Sequence, residues 1–130
     1  MNITDFGPVK PTIQPYQGGY SVPVGLKQVE RPGMEDGTVE HSWQGYLLKV
    51  AALTELEFDN AAKALPEGNY SDDRLLVLRE AVRIQRRAAY PPIEDYNDAV
   101  VKGDDTALQA YKDACLAVKA KYPMPKGDHA

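Results

Sequence analysis

The side chains that most often carry out chemistry are scarce in this sequence of 130 residues. The two histidines, His41 and His129, have no cysteine or second histidine at the spacing of metal ligands. The single cysteine, Cys115, belongs to an apolar series with helical spacing, where a buried and unreactive thiol is expected. A phosphate-binding loop needs a glycine-rich stretch followed by a Lys-Ser/Thr pair. Gly18-Gly19 is not followed by such a pair. We therefore expect no metal site, no cofactor and no catalytic nucleophile.

Paired carboxylates, which can act together as general acid and base, occur at four places. They are Glu35-Asp36, Asp72-Asp73, Glu94-Asp95 and Asp104-Asp105. Each pair lies at a predicted turn or helix start, where acidic side chains are expected because they offset the positive end of the helix dipole. Nothing in the sequence combines a nucleophile with a base, a metal shell or a phosphate cradle. We predict that the protein is not an enzyme.

Arginine is the one charged residue that is concentrated in a short segment. The five arginines of this segment are Arg74, Arg79, Arg83, Arg86 and Arg87. On a helix, positions 79, 83 and 86–87 fall on one side. That side is either a solvated face, partly neutralised by Glu80 and by acids of neighbouring helices, or an interface for an acidic partner, because guanidinium groups pair bidentately with carboxylates. The net charge of −4 argues against nucleic acid as the partner.

The N-terminal third of the chain is broken up by proline and glycine. Residues 1–40 contain five of the ten prolines and six of the ten glycines, which disfavours helices and central strands. The composition predicts an extended irregular arm over residues 1–41. We expect this arm to become ordered along a neighbouring protein, with Phe6, Tyr16 and Tyr20 as anchors. The alternatives are a disordered leader and an arm that packs on its own body.

Helical spacing of apolar residues begins after Ser42, which is a plausible N-cap. The pattern predicts a first helix that ends before Pro66 and a second that has Ser71 as its N-cap. A short third helix follows Pro91-Pro92 and is closed by Gly103. The fourth is capped by Asp104 or Asp105 and ends at Pro123. Its apolar series recurs at spacings of three and four, as in a packed helix pair: Leu108, Tyr111, Cys115, Val118 and Tyr122.

The predicted fold class is mainly α. An extended irregular arm precedes a small helical bundle over residues 42–125, with two long helices, a short one and a long C-terminal one, and residues 126–130 form a flexible tail. About 85 residues of helix give a marginal core, so we expect stabilisation by a partner or by self-association.

No apolar run approaches the roughly 18–20 residues of a membrane-spanning helix, and we expect no association with a membrane. The N-terminus, MNITDFGPVKP, has neither the basic nor the apolar region of a signal peptide. A single cysteine cannot form an internal disulfide, so synthesis in a reducing compartment is expected.

Two segments near the C-terminus resemble a module of tailed-bacteriophage structural and tail-region proteins. Residues 86–99 read Arg-Arg-Ala-Ala-Tyr-Pro-Pro-Ile-Glu-Asp-Tyr-Asn-Asp-Ala, and residues 117–125 read Ala-Val-Lys-Ala-Lys-Tyr-Pro-Met-Pro. The module in that group has an Arg-rich helix end, then Tyr-Pro-x-Ile-x-Asp-x-x-Asp-Ala, and later a helix that ends in Ala-Val-Lys-x-Lys-Tyr-Pro. Two departures are Tyr96-Asn97, where Gln-Leu is usual, and an N-terminal region with no counterpart in the group.

The resemblance implies a virion structural protein that acts as a non-covalent adaptor in the neck, tail or fibre-attachment region. Its implied partners are other virion proteins (portal or neck, tail or fibre subunits), and it would be present in multiple symmetric copies. It would be made in the host bacterial cytoplasm and located in the virion. The alternative is a tail-fibre assembly chaperone that is not retained in the virion, and a third possibility is a regulator that binds a host protein.

Six residues carry the structural part of this motif: Tyr90, Pro91, Pro92, Asp95, Tyr122 and Pro123. Tyr90 and Tyr122 each precede a proline, which restricts them to extended backbone conformations. We predict that their two rings leave the helix ends on the same side and clamp the short helix between them.

Overall fold

The computed structural model describes residues 1–126, which form four strands followed by four helices. The strands are β1 (Thr4–Gly7), β2 (Gln14–Tyr16), β3 (Gly19–Pro32) and β4 (Val39–Val50). The helices are α1 (Glu55–Ala62), α2 (Ser71–Ala89), α3 (Ile93–Lys102) and α4 (Asp105–Lys121). The chain divides into an N-terminal unit, Met1–Glu80, and a C-terminal unit that begins at Ala81. The boundary falls inside α2.

The four strands form one antiparallel sheet in the order β1-β4-β3-β2. Its centre is the long hairpin of β3 and β4, which pair from Tyr20↔Val50 to Pro32↔Val39. The two outer strands are short: β1 covers only the middle of β4, and β2 covers only the start of β3. Among residues 1–126, no third strand pairs with the end of the hairpin nearest its loop.

Residues with left-handed backbone conformations set the turns of the sheet. Gln17 and Gly18, with φ of 45° and 81°, form the two-residue connection between β2 and β3, and positive φ at both positions matches the twist of a tight hairpin. Gly25, with φ of 61°, lies where Gly25 and Leu26 together oppose Gly45. This is a β-bulge with glycine at its left-handed position, and it shifts the register between the two halves of the hairpin.

The core of the N-terminal unit lies on one region of this sheet. Its buried hydrophobic side chains are Val22, Val24, Leu48, Val50, Leu53, Phe58 and Val77. The strands supply four of them, and the helices α1 and α2 supply Phe58 and Val77. Burial of an apolar side chain of this size stabilises a fold by about 1.5–3 kcal/mol, and Phe58 and Val77 are the residues by which α1 and α2 contribute to this core.

Two polar contacts hold the start of α2 within the N-terminal unit. Arg74 forms ion pairs with Asp59 and Glu55 of α1. Asp73 accepts a hydrogen bond of 3.1 Å from the backbone N–H of Gly25, at the β-bulge. Partial burial raises the pKa of the Asp73 carboxyl, and the bond from Gly25 acts in the opposite direction with a smaller effect. Asp73 therefore connects the first turn of α2 to the bulge, although its charge is partly desolvated there.

The prediction of a mainly α fold with an extended irregular N-terminal arm is wrong, because residues 4–50 contain all four strands of the sheet. The prolines are compatible with it because of where they lie. Pro15 is in an outer strand, Pro23 lies beyond the reach of β2, and Pro32 ends β3. In each place proline can occur in a sheet without removing a hydrogen bond between two central strands.

The helix predicted to start at Ser42 is also wrong over its first half. Ser42 lies in β4, where it is buried and donates a hydrogen bond of 2.6 Å to Asp5. Helix α1 starts later, and its N-cap is Thr54, whose side chain accepts a hydrogen bond from the N–H of Glu57. Leu47 and Val50 fit helical spacing, but they belong to a strand that pairs on both sides, and tertiary pairing outweighed the local pattern.

The predictions for the later helices are confirmed in their bounds. Helix α2 begins at Ser71, which is its first residue and not its N-cap. The Asn69 side chain accepts the hydrogen bond from the Ser71 N–H. Helix α3 ends at Gly103, which is left-handed. Helix α4 has Asp104 as its N-cap, bonded to the N–H of Ala107.

Replacing Leu48 by Ala should lower the free energy of unfolding by about 2–5 kcal/mol, because Leu48 is buried in the hairpin. The matched control is Leu76→Ala in α2, where the side chain is 50% exposed; the loss there should stay below about 1 kcal/mol. Urea unfolding followed by circular dichroism measures both. Equal losses from the two substitutions would contradict a core centred on β3 and β4.

The raised pKa of Asp73 predicts a pH dependence of stability. Because the pKa is higher in the folded chain than the ordinary value of 3.8, ionisation of Asp73 lowers stability above the folded pKa, and this loss disappears below 3.8. Asp73→Asn keeps an oxygen to accept the bond from Gly25 but cannot ionise. Its stability relative to the unsubstituted protein should be higher at pH 7 than at pH 3, as measured by urea unfolding. The same relative stability at both pH values would argue against a desolvated carboxylate.

Candidate protein-interaction site

The C-terminal unit is built around the end of α2 and the two helices that follow. Helix α2 stops before Pro91 and Pro92, because proline lacks the N–H that would continue it. Tyr90 makes the last bond of the helix, from its N–H to the carbonyl of Arg86 at 2.9 Å. Pro92 is the N-cap of α3, and its carbonyl accepts a hydrogen bond of 3.1 Å from the N–H of Asp95. The Tyr-Pro-Pro segment thus ends one helix and starts the next.

Arg86 joins the ends of two helices. Its Nε donates a hydrogen bond of 2.8 Å to the carbonyl of Tyr122, and its Nη2 donates one of 3.4 Å to the carbonyl of Lys119. These carbonyls lie in the last turn of α4, where no helical N–H remains to bond them. A cation there also offsets the negative end of the helix dipole. Arg86 therefore fixes the C-terminus of α4 against the C-terminus of α2.

Helix α4 presents the predicted apolar series toward its neighbours. The members are half-buried, whereas the remaining residues of the helix are exposed: Leu108, Tyr111, Cys115, Val118 and Tyr122. The seam is thus confirmed as the least exposed side of α4. The Cys115 thiol, expected to be buried, is half-buried.

A tyrosine pair connects α3 to α4. The rings of Tyr96 and Tyr111 have centroids 5.5 Å apart and are tilted by 51°, a favourable arrangement for aromatic side chains. The Tyr111 hydroxyl also reaches the carbonyl of Pro91 at 3.5 Å. Partial burial raises the pKa of the Tyr111 phenol, with a smaller contribution from Cys115 one turn along the helix.

The two tyrosines of the predicted clamp, Tyr90 and Tyr122, are both half-buried, and Asp95 and Pro123 are exposed. The aromatic contact between α3 and α4 is instead made by Tyr96 and Tyr111. Tyr122 is the C-cap of α4, and the Lys121 ammonium lies 5.4 Å from its ring centroid. The clamp itself stays a prediction.

Most apolar side chains of the C-terminal unit are accessible. Of its described residues, only Ala99 is a buried hydrophobic residue. Large exposed hydrophobic side chains lie on α3 and α4: Ile93, Tyr96, Val100, Val101 and Leu116. Ile93, Tyr96 and Val100 share one side of α3 by their spacing, and we call these three the apolar α3 face. This face suits contact with another protein better than contact with water.

The remaining arginines of the predicted site lie along α2. Arg87 is exposed and Arg83 is largely exposed, whereas Arg79 is half-buried. Arg79 belongs to the N-terminal unit, and Arg83, Arg86 and Arg87 belong to the C-terminal unit. Of these, Arg86 makes the hydrogen bonds to the end of α4 that are described above.

The three aromatic residues predicted as arm anchors lie in the sheet. Tyr16 is in β2, where the Lys49 ammonium lies 4.6 Å from its ring centroid. Tyr20 is half-buried in β3, opposite Val50. Phe6 is in β1 and lines an open groove of about 830 Å³. These positions connect them to strand pairing rather than to an extended arm.

The groove beside β1 contains one ion pair, between Asp5 and Arg31. Its lining residues are Asp5, Phe6, Gly7, Pro8, Arg31, Glu40, His41 and Ser42. Asp5 forms an ion pair with Arg31 and accepts hydrogen bonds from the Ser42 hydroxyl at 2.6 Å and from the Gly7 N–H at 2.9 Å. His41 is exposed, and His129 lies outside the described residues. Among residues 1–126 no three His, Cys, Asp or Glu side chains are grouped to hold a metal ion.

Comparison with protein-family models, with curated proteins and with solved structures finds no match to this chain. Within the described part of the chain, none of the helices has the length and apolar character to cross a membrane.

Sequence reasoning missed two features of the site, the Arg86 bonds to α4 and the Tyr96–Tyr111 pair. The sequence indicates Arg86 as part of a solvated face or of an interface for an acidic partner, not as a residue that bonds to α4. The available signal was the Lys-Tyr-Pro ending of α4, which leaves carbonyls unpaired near a basic helix end. Tyr111 was placed on the seam, but its partner on α3 required knowledge of how the two helices cross.

Replacing Arg86 by Ala should lower the free energy of unfolding by about 1–3 kcal/mol, because two carbonyls at the end of α4 lose a charged donor. Arg87→Ala removes the same charge from an exposed neighbour and should change stability by no more than about 0.5 kcal/mol. Urea unfolding followed at the helical band of circular dichroism compares them. If Arg87→Ala costs as much as Arg86→Ala, the effect comes from charge alone and not from the bonds to α4.

Proposed function

We propose that this protein is a structural component of a tailed-bacteriophage virion, where it acts as a non-covalent adaptor in the neck, tail or fibre-attachment region. The observation that carries the proposal is the contact between the two segments that resemble the phage module. Residues 86–99 and 117–125 are separated in sequence, yet Arg86 of the first segment donates hydrogen bonds to Lys119 and Tyr122 of the second. The two signatures belong to one structural element, as a shared module requires.

The surface of the C-terminal unit supports a role in protein binding. Ile93 and Val100 of the apolar α3 face are 57% and 51% exposed, and Val101 beside them is 85% exposed. Burying such side chains against another virion protein would gain about 25 cal/mol for each Å² of apolar surface removed from water. The exposed residues surround the motif itself, so the same module would supply both the fold of the unit and its binding surface.

Two side chains that could take part in a reaction are already paired or partly buried, which is consistent with a binding role. The carboxylate of Asp5, the most extensively bonded in the groove, is paired with Arg31 and Ser42, and the Cys115 thiol is half-buried. The extended arm is not part of this proposal, since residues 4–50 form a sheet. An adaptor of this kind would contact its neighbours through folded surfaces.

The experiment that tests the proposal is quantitative mass spectrometry of purified particles of the phage that encodes the protein. A virion component should be present at a fixed copy number per particle, a multiple of the symmetry of its neighbours. The tail-fibre chaperone, which is the alternative function, should be abundant in infected cells but missing from purified particles. That second result would overturn the proposal.

The apolar α3 face provides a sharper prediction. Ile93→Asp combined with Val100→Asp should reduce the copy number in particles at least tenfold, because charged groups in a protein contact cost far more than the 1.4 kcal/mol that corresponds to a factor of ten. The matched control is Leu56→Asp, which changes an apolar residue that is 68% exposed on α1. Circular dichroism verifies that each variant is folded. Normal incorporation of the double variant would exclude this face as the docking surface.

A further inference from the structure

Two segments of the C-terminal unit contain no acidic residue. Residues 81–93 hold three arginines and residues 114–126 hold three lysines, without a single Asp or Glu in either segment. The first segment is the end of α2 with the loop after it, and the second is the end of α4 with its extension. Each segment is therefore a local concentration of positive charge in a protein whose net charge is −4.

The structure brings the two basic segments together. The Arg86 guanidinium bonds to the carbonyls of Lys119 and Tyr122, so the ends of the two segments meet at one junction. Arg87, Lys119 and Lys121 are exposed there. We call Arg86, Arg87, Lys119 and Lys121 the basic patch. Arg86 offsets the negative helix end, while Arg87, Lys119 and Lys121 are exposed, with the Lys121 ammonium over the Tyr122 ring.

The opposite charge is concentrated on the loop end of the β3–β4 hairpin. Four exposed acids lie there, and we call them the acidic tip: Glu30, Glu35, Asp36 and Glu40. Between residues 28 and 48 the only Lys or Arg is Arg31, and its charge is paired with Asp5. Met34 in the loop is 98% exposed. The tip therefore combines negative charge with an accessible apolar side chain.

We propose that the basic patch of one copy of this protein binds the acidic tip of a second copy. The N-terminal unit has 7 Lys and Arg against 12 Asp and Glu, whereas residues 81–126 have 8 against 6. A contact of patch with tip therefore joins opposite local charges, in copies that each carry a net charge of −4. Nucleic acid is the weaker partner, because the acidic N-terminal unit would be repelled by phosphate.

A contact between a patch and a tip joins two different surfaces, so each copy retains one unused surface of each kind. Such heterologous contacts propagate and produce a ring if the rotation closes, or an open filament if it does not. The proposal goes beyond the virion role and does not depend on it, since the isolated protein carries both surfaces. Failure to enter particles and failure to self-associate are separate outcomes.

Sedimentation velocity of the full chain tests the proposal. Self-association should increase with protein concentration at about 50 mM salt and weaken at about 500 mM salt, because screening shortens the range of charge interactions between exposed groups. Arg87→Glu with Lys121→Glu should weaken it at least tenfold, and so should Glu35→Lys with Asp36→Lys. An equimolar mixture of these two proteins should associate again, because the unchanged acidic tip of the first variant then meets the unchanged basic patch of the second.

The control is Lys63→Glu with Lys112→Glu, which makes the same charge change at two exposed lysines outside the patch. It should leave the association within about twofold of the unsubstituted protein, as expected for distant exposed charges. A protein that stays monomeric at low salt would overturn the proposal. Failure of the mixture to associate would overturn it too, as would binding of a labelled DNA duplex by the patch without self-association.

Discussion

The antiparallel pairing of β3 with β4 is the interaction on which the N-terminal unit depends. It carries the buried residues Val22, Val24, Leu48 and Val50, the edge that β1 joins and the bulge at Gly25 that meets Asp73. The bulge is tightly constrained: a Cβ atom on Gly45, opposite it, would lie 2.6 Å from the Val24 carbonyl oxygen. The bulge at Gly25 and the glycine opposite it, Gly45, therefore affect both the strand register and which side chains become buried.

The fold was predictable from the sequence where local signals agree with tertiary contacts. Helices α2, α3 and α4 have caps, proline stops and a left-handed Gly103, and these local features place their ends correctly. The sheet was not predictable in this way. Its strands contain prolines, which are compatible with the sheet only because of their positions in it. Leu47 to Val50 fit a helical spacing, but the pairing of β4 with β3 places them in a strand.

The candidate site was also predictable only in part, because spacing predicts features within one helix. The seam of α4 follows from spacing within a single helix, and it is the half-buried side of that helix. The bonds of Arg86 and the Tyr96–Tyr111 pair join separate helices. Spacing within one helix carries no information on how two helices cross, so these contacts became visible only in three dimensions.

The long hairpin also affects how the chain folds during synthesis. The pairing of Thr4 with Gly45 joins residues that are far apart in sequence, and such contacts form slowly compared with those inside helices. The sheet is complete at Val50, but Val77 of α2, a buried residue of the same unit, is added later. At about 5–20 residues per second, a ribosome takes roughly 1–5 s to add the intervening segment. During that interval the nascent chain exposes an unfinished apolar sheet, and it is then that a chaperone that binds apolar surfaces has access to it.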